Sequence, residues 1–159
     1  MEDQVFPKRC GHLDGKTLVK PEEFAKKIAI ARKASIQCSE GQFVICARTD
    51  ARNVEGIEST ITRAKLYVDA GADMIFPEGL KSFEEFEQVA KALKNYGGEN
   101  RPYLLANMTE FGKTPHITVE EFAKIGYHCV IFPVTSLRIA MKSVETMLKD
   151  LKKTGTAKN

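Results

Sequence analysis

Short apolar runs alternate along this chain with longer segments in which apolar side chains return every three or four residues. The short runs, Phe43–Ala47, Met74–Pro77, Tyr103–Ala106 and Cys129–Phe132, predict buried strands. The longer segments predict helices at Pro21–Ser35, Ile57–Ala70, Ser82–Lys94, Thr118–Ile125 and Ser136–Lys153. In the second of these, Ile57, Ile61, Ala64 and Val68 fall on one face. Local signals mark the boundaries. Pro21 suits a first helical turn, and Gly71 and Gly126 suit helix ends. Ser82 with Glu85, and Thr118 with Glu121, have the spacing of capping boxes. Tyr96-Gly97-Gly98 interrupts the periodicity. A strand followed by a helix, repeated about every 30 to 40 residues, predicts parallel strands joined by crossover helices, the α/β class.

Composition narrows the function without choosing it. The 159 residues include 43% hydrophobic and 28% charged side chains, as expected of a folded, soluble chain. A net charge of +3 with no basic run longer than Lys26-Lys27 or Lys152-Lys153 gives no nucleic-acid footprint. There is no apolar stretch of membrane-spanning length, and Met1-Glu2-Asp3-Gln4 does not resemble a signal peptide, so a cytoplasmic location is expected. The four cysteines have no metal-site spacing and are expected to be free thiols, with Cys46 and Cys129 buried inside apolar runs.

Chemistry is expected where the strands end, because loops after parallel strands carry the functional groups of α/β folds. The four ends read Ala47-Arg48-Thr49-Asp50, Phe76-Pro77-Glu78-Gly79, Ala106-Asn107-Met108-Thr109-Glu110 and Phe132-Pro133-Val134-Thr135-Ser136. Together they offer a guanidinium, a carboxylate, an amide and hydroxyls to one rim, a set suited to a small oxygen-rich anion. Ahead of them lies the cationic loop Lys8-Arg9-Cys10-Gly11-His12-Leu13-Asp14-Gly15-Lys16. Its residues allow two readings: a mobile electropositive loop that favours a Cys10 thiolate, or a solvated basic loop whose cysteine is simply exposed.

Lys8-Arg9-Cys10-Gly11-His12 resembles the signature of the isocitrate lyase and phosphoenolpyruvate mutase superfamily, and Ala47-Arg48-Thr49-Asp50 resembles a second motif of that group. Phe76-Pro77-Glu78 and the run Leu105-Ala106-Asn107-Met108-Thr109-Glu110-Phe111-Gly112-Lys113-Thr114-Pro115 resemble its methylisocitrate lyase branch. The likeness runs from Glu2 to about Lys158 with the motifs in order. It implies a (β/α)₈ barrel, a homo-oligomer, bound Mg²⁺ and retro-aldol cleavage of a small tricarboxylate, with methylisocitrate giving pyruvate and succinate. By resemblance Cys10 is the acid that protonates the succinate fragment, and Lys8, Gly11 and His12 share its lid. Arg48 binds and polarises the substrate, and Glu78 stands beside the reacting groups. Asn107, Met108 and Thr109 contact the substrate, as does Arg138. Glu2 reaches the metal through water. Related activities of the same superfamily, on isocitrate, phosphonopyruvate or oxaloacetate, stay open, as does a non-catalytic remnant or assembly subunit.

The resemblance also implies a division of the barrel. A closed barrel needs roughly 250 residues, so residues 1–159 are expected to form a single partial α/β-barrel domain, about strands 4 to 8. The direct metal carboxylates are then expected outside this segment, as is a terminal extension. An open sheet edge and uncovered apolar faces should follow.

Overall fold

The computed structural model describes residues 1–98 and 101–157; Lys158, where the resemblance ends, lies outside them. The predicted runs pair edge to edge. Strands β1 (Cys46–Thr49), β2 (Met74–Pro77), β3 (Tyr103–Asn107) and β4 (Cys129–Ile131) form one parallel sheet in sequence order. The connections carry α2 (Ile57–Asp69), α3 (Phe83–Leu93) and α4 (Val119–Ile125). Helix α1 (Pro21–Ser39) precedes the sheet and α5 (Thr135–Thr154) follows it. Arg48 stands opposite Phe76, and Asn107 opposite Ile131. On the β1 side the ladder continues for one bridge, Glu2 to Arg48, through the bonds from Arg48 N–H to the Met1 carbonyl and from Asp3 N–H to the Arg48 carbonyl.

Alternate strand positions point to opposite faces. Ala47, Thr49, Ile75, Leu104 and Ala106 are buried on one face, where Phe24, Ile28, Tyr67, Phe86, Leu93 and Phe122 build the core. Edge-to-face contacts at 4.9 Å between Phe24 and Tyr67, and at 5.0 Å between Phe86 and Phe122, fix how the helices seat. Each such side chain stabilises the fold by about 1.5–3 kcal/mol. Cys46, Arg48, Leu105, Asn107 and Cys129 occupy the other alternate positions and are only half-buried. Cys46 and Cys129 are therefore not the fully buried thiols expected, because no helix among the described residues covers that face. Helix α5 likewise buries none of its side chains: Leu137, Ile139, Met141, Val144 and Leu148 are exposed along it. No helix among the described residues is long and apolar enough to cross a membrane.

The largest boundary shifts fall between α1 and β1, where β1 also runs on from Ala47 to Thr49. Helix α1 passes Ser35 and stops at Ser39, followed by Glu40 and Gly41, both at positive φ. Strand β1 starts at Cys46 rather than Phe43. The Ser39 hydroxyl accepts from Phe43 N–H and the Ser35 hydroxyl donates to the Phe43 carbonyl, so Phe43 belongs to the end of α1. Ile45 N–H then donates to the Asp73 carboxylate at 2.7 Å instead of entering the ladder. Capping also departs from symmetry. The full box forms at Thr118 and Glu121. At α3 only half forms: Ser82 accepts from Glu85 N–H, but the Glu85 carboxylate takes the Lys81 N–H and the Arg52 guanidinium.

Candidate active site

Three strand ends bring their polar residues to one rim. Arg48 leaves β1 on the uncovered face and reaches Asp50 through two bonds of 3.0 Å, Nε to Oδ2 and Nη2 to Oδ1. Its Nη1 lies 3.4 Å from Glu78 Oε2, and its guanidinium sits 5.2 Å over the Phe76 ring. Burial alone would lower the pKa of this guanidinium. The Asp50 bond and the charges of Glu78, Asp50 and Glu2 outweigh that effect and hold it above the ordinary value. Glu78 follows β2, 2% exposed, with its N–H on the Thr49 carbonyl at 2.9 Å. Asn107, at the end of β3, donates to Glu78 Oε2 at 3.3 Å and accepts from the Thr109 hydroxyl at 2.7 Å.

The Cys10 loop closes onto this rim. Gln4 pins its start through paired 2.9 Å bonds with the backbone of Arg9. Gly11 packs so tightly that a β-carbon there would stand 2.5 Å from Glu78 Cγ and 2.6 Å from Arg48 Nη2. The His12 ring meets Gly112, whose own β-carbon would lie 2.8 Å from it, and Asp14 pairs with Lys113 at 2.7 Å. His12 Nε2 lies 3.9 Å from Glu78 Oε1. Both His12 nitrogens and that carboxylate oxygen are buried without a hydrogen-bond partner among the described residues. Such orphaned atoms are costly in a folded protein and mark a place for a bound polar group.

The site residues expected from the sequence gather unequally. Lys8, Gly11, His12, Arg48, Glu78, Asn107, Thr109 and Glu2 form one cluster, with Lys8 bonded to Glu2 at 3.0 Å. Cys10 shares the loop, but its side chain is exposed. Met108 does not join the rim as expected. Its side chain lies in the core and its sulfur accepts from Ile117 N–H, because Met108 falls on the helix-facing side beyond β3. Arg138, in the first turn of α5, pairs with Glu110 at 2.9 Å and lies over the Phe111 ring. Its charge is thus already answered within the chain.

A metal does not fit the residues present. No group of three or more His, Cys, Asp or Glu among the described residues is placed to hold a metal ion between them. Glu2, assigned to a metal through water, is instead paired with Lys8 at 2.9 Å and Arg48 at 3.4 Å. A hard cation needs several oxygen ligands, and the carboxylates at this rim, Glu2, Asp50 and Glu78, are each already turned to the Arg48 guanidinium.

Sequence reasoning missed the supports. Asp50 takes both prongs of Arg48, a pairing hinted at by Arg-x-Asp at the end of a strand, where alternate residues share a side. Asp3, wholly buried, accepts from Asp50 N–H at 2.9 Å, Tyr67 hydroxyl at 2.8 Å and Arg63 at 3.3 Å. Burial pushes the Asp3 carboxyl up against the pull of these bonds. The hollow at the opposite strand ends, lined among others by Lys91, Lys94 and Lys124, holds none of the rim residues. Lys91 and Lys124 lie in the last turns of α3 and α4, where they answer the helix carbonyls.

A parallel sheet in sequence order, with a guanidinium, a buried carboxylate and an amide at one rim, defines an α/β fold, and its match to the superfamily makes it part of a TIM-type barrel. The family model for phosphoenolpyruvate phosphomutase matches residues 1–152, and the chain belongs to that family. It is 52% identical over its whole length to the 2-methylisocitrate lyase of Aeropyrum pernix, covering 48% of that protein. It is 54% identical over 155 residues to the probable 2-methylisocitrate lyase 2 of Corynebacterium glutamicum, covering 98% of this chain and 47% of the relative. Among solved structures, 2,3-dimethylmalate lyase, a PEP mutase/isocitrate lyase superfamily member, superposes with a TM-score of 0.88 at 36% identity, over 99% of this chain and 50% of its own. The chain therefore spans about half the length of the curated relatives it matches.

Proposed function

We propose that this chain carries the substrate-facing rim of a carbon–carbon lyase that cleaves 2-methylisocitrate to pyruvate and succinate. The observation that carries the reading is the orphaned pair of His12 and Glu78, closed in by Gly11 and flanked by Arg48 and Asn107. A hydroxyl placed between Glu78 Oε1 and His12 Nε2 would satisfy both, and a base of this kind can take its proton. The carbon–carbon bond beside that hydroxyl then breaks. The carbinol carbon becomes the ketone of pyruvate, and the electron pair stays on the succinate-side carbon. The Cys10 thiol, on the loop above, delivers the proton that completes succinate. Arg48 Nη1, the arm not committed to Asp50, faces the developing negative charge. Mg²⁺ belongs to the reading as the expected metal, but its carboxylates are not supplied by the residues present, and no step here runs through it. The numbering of these strands as 4 to 8 of the barrel and a homo-oligomeric, cytoplasmic enzyme belong to the same reading. The exposed apolar side chains of α5 support association with further protein.

The test is a chimaera in which this chain replaces the aligned 48% of the Aeropyrum pernix relative, assayed for pyruvate release. Turnover of 2-methylisocitrate, lost when Cys10 is exchanged for Ser, is the expected result. A folded chimaera that leaves 2-methylisocitrate intact overturns the reading; preference for isocitrate, oxaloacetate or phosphonopyruvate moves it to a sister activity.

A further inference from the structure

One buried charge near the rim has no part in the scheme above. Lys16 closes the Cys10 loop, and its side chain is 1% exposed, an unusual place for a flexible ammonium. Its Nζ donates to the Gly11 carbonyl and lies 3.8 Å from Asp50 Oδ1. The same Gly11 carbonyl accepts from the Asn53 amide at 3.3 Å. Asp50, itself wholly buried, is the carboxylate that grips Arg48.

Burying an ammonium is costly unless it is paired and bonded. Here the ammonium is met on one side by the carbonyl of the loop residue packed against Glu78 and Arg48, and on the other by the carboxylate that orients Arg48. The loop and the substrate-binding arginine are therefore joined through one cation. An apolar side chain could fill the slot, but it would hold neither group.

The geometry points to Lys16 as a positioning residue: its ammonium fastens the Cys10 loop to the Asp50–Arg48 clamp, so that Gly11 and His12 seat over Glu78 and the acid on the loop is brought to the same rim as the guanidinium. In calling this rim catalytic the inference rests on the lyase reading. The fastening itself does not depend on it.

The experiment is residue-resolved amide exchange by NMR on the 159-residue chain and on its Lys16→Met and Lys16→Gln variants. The reporter is the Leu13 amide, which donates to the Cys10 carbonyl at 3.0 Å within the loop. Arg9, pinned separately by Gln4, is the internal control, and Ile75 and Ala106 report the sheet. With the fastening removed, Leu13 exchanges about tenfold faster in Lys16→Met, the scale of one lost charge-assisted bond. The Gly11 and His12 resonances shift, while Arg9, Ile75 and Ala106 keep their rates. Unchanged exchange and shifts at Leu13, Gly11 and His12 overturn the inference. Should Lys16→Met loosen the sheet as well, Lys16→Gln decides. Its shorter neutral side chain does not span Gly11 and Asp50 together, so Leu13 must still exchange faster, and a native rate there overturns the fastening. A chimaera without turnover, alongside a Leu13 amide freed in the variant, counts against the lyase reading and supports the fastening.

Discussion

Arg48 and Asp50 stand two residues apart where the chain leaves β1, and their side chains meet in two bonds of 3.0 Å. The pairing uses Nε and Nη2 and leaves Nη1 directed at Glu78. A guanidinium held in this way cannot rotate its plane, so the direction of its remaining arm is set before any substrate arrives. Lysine offers one point charge and no plane. Arg48→Lys is expected to lose about 2 kcal/mol of transition-state stabilisation, roughly thirtyfold in turnover. Steady-state kinetics of the chimaera with unchanged far-ultraviolet circular dichroism is the check; full activity would reduce Arg48 to a tie for the rim.

Gly11 is fixed by space rather than by backbone freedom. A methyl group there meets Glu78 and Arg48 at 2.5 and 2.6 Å, so Gly11→Ala should hold the loop away from the rim. The expected outcome is turnover lowered by at least about tenfold with the melting temperature within about 2 °C of the parent, since the loop adds little to the core. Activity retained in Gly11→Ala would show that the loop need not seat so closely.

The hydroxyl of Tyr67 joins a network that begins with Asp3 and ends at Asp50 N–H. Tyr67→Phe keeps the ring against Phe24 but removes one donor from a buried carboxylate. A loss of about 1–3 kcal/mol is expected in urea unfolding. A midpoint equal to that of the parent would mean that Arg63 and the Asp50 amide satisfy Asp3 without it.

Glu110 gives a pH signature. The Arg138 hydrogen bond holds its carboxyl below the ordinary value of 4.5. A depressed folded value means that the contribution is complete above the unfolded value and disappears as pH falls through the folded one. The stability difference between the parent and Glu110→Gln should accordingly stay constant from about pH 6 to 8 and shrink below about pH 4.5. Equal unfolding curves at every pH would leave the Glu110–Arg138 pair without a measurable role.

Much of the fold was legible because its signals are local. The limits of β2 coincide with the apolar run Met74–Pro77, and Gly126 ends α4 where a left-handed residue was expected. The misread boundary at Phe43 depends on Asp73, 28 residues beyond Ile45 in sequence. The half-formed box at α3 depends on Arg52, 33 residues before Glu85. Periodicity carries no information about either partner. The same division holds at the site. Arg48, Glu78, Asn107 and Thr109 could be read because each lies at or just beyond the end of a strand. Asp3 could not, since its partners Arg63 and Tyr67 lie 60 and 64 residues away and look from the sequence like one face of a surface helix. Met108 was drawn to the rim by its neighbours in the motif, although alternation along the chain turns it to the core.

The ring under Arg48 has an optical consequence. The chain contains no tryptophan, and Phe76 lies with its face 5.2 Å from a guanidinium that an anionic ligand would touch. An indole in place of that phenyl ring would be the sole long-wavelength emitter of the molecule, quenched or released as the cation above it is displaced, and occupancy of the rim could then be followed as light with no reaction taking place.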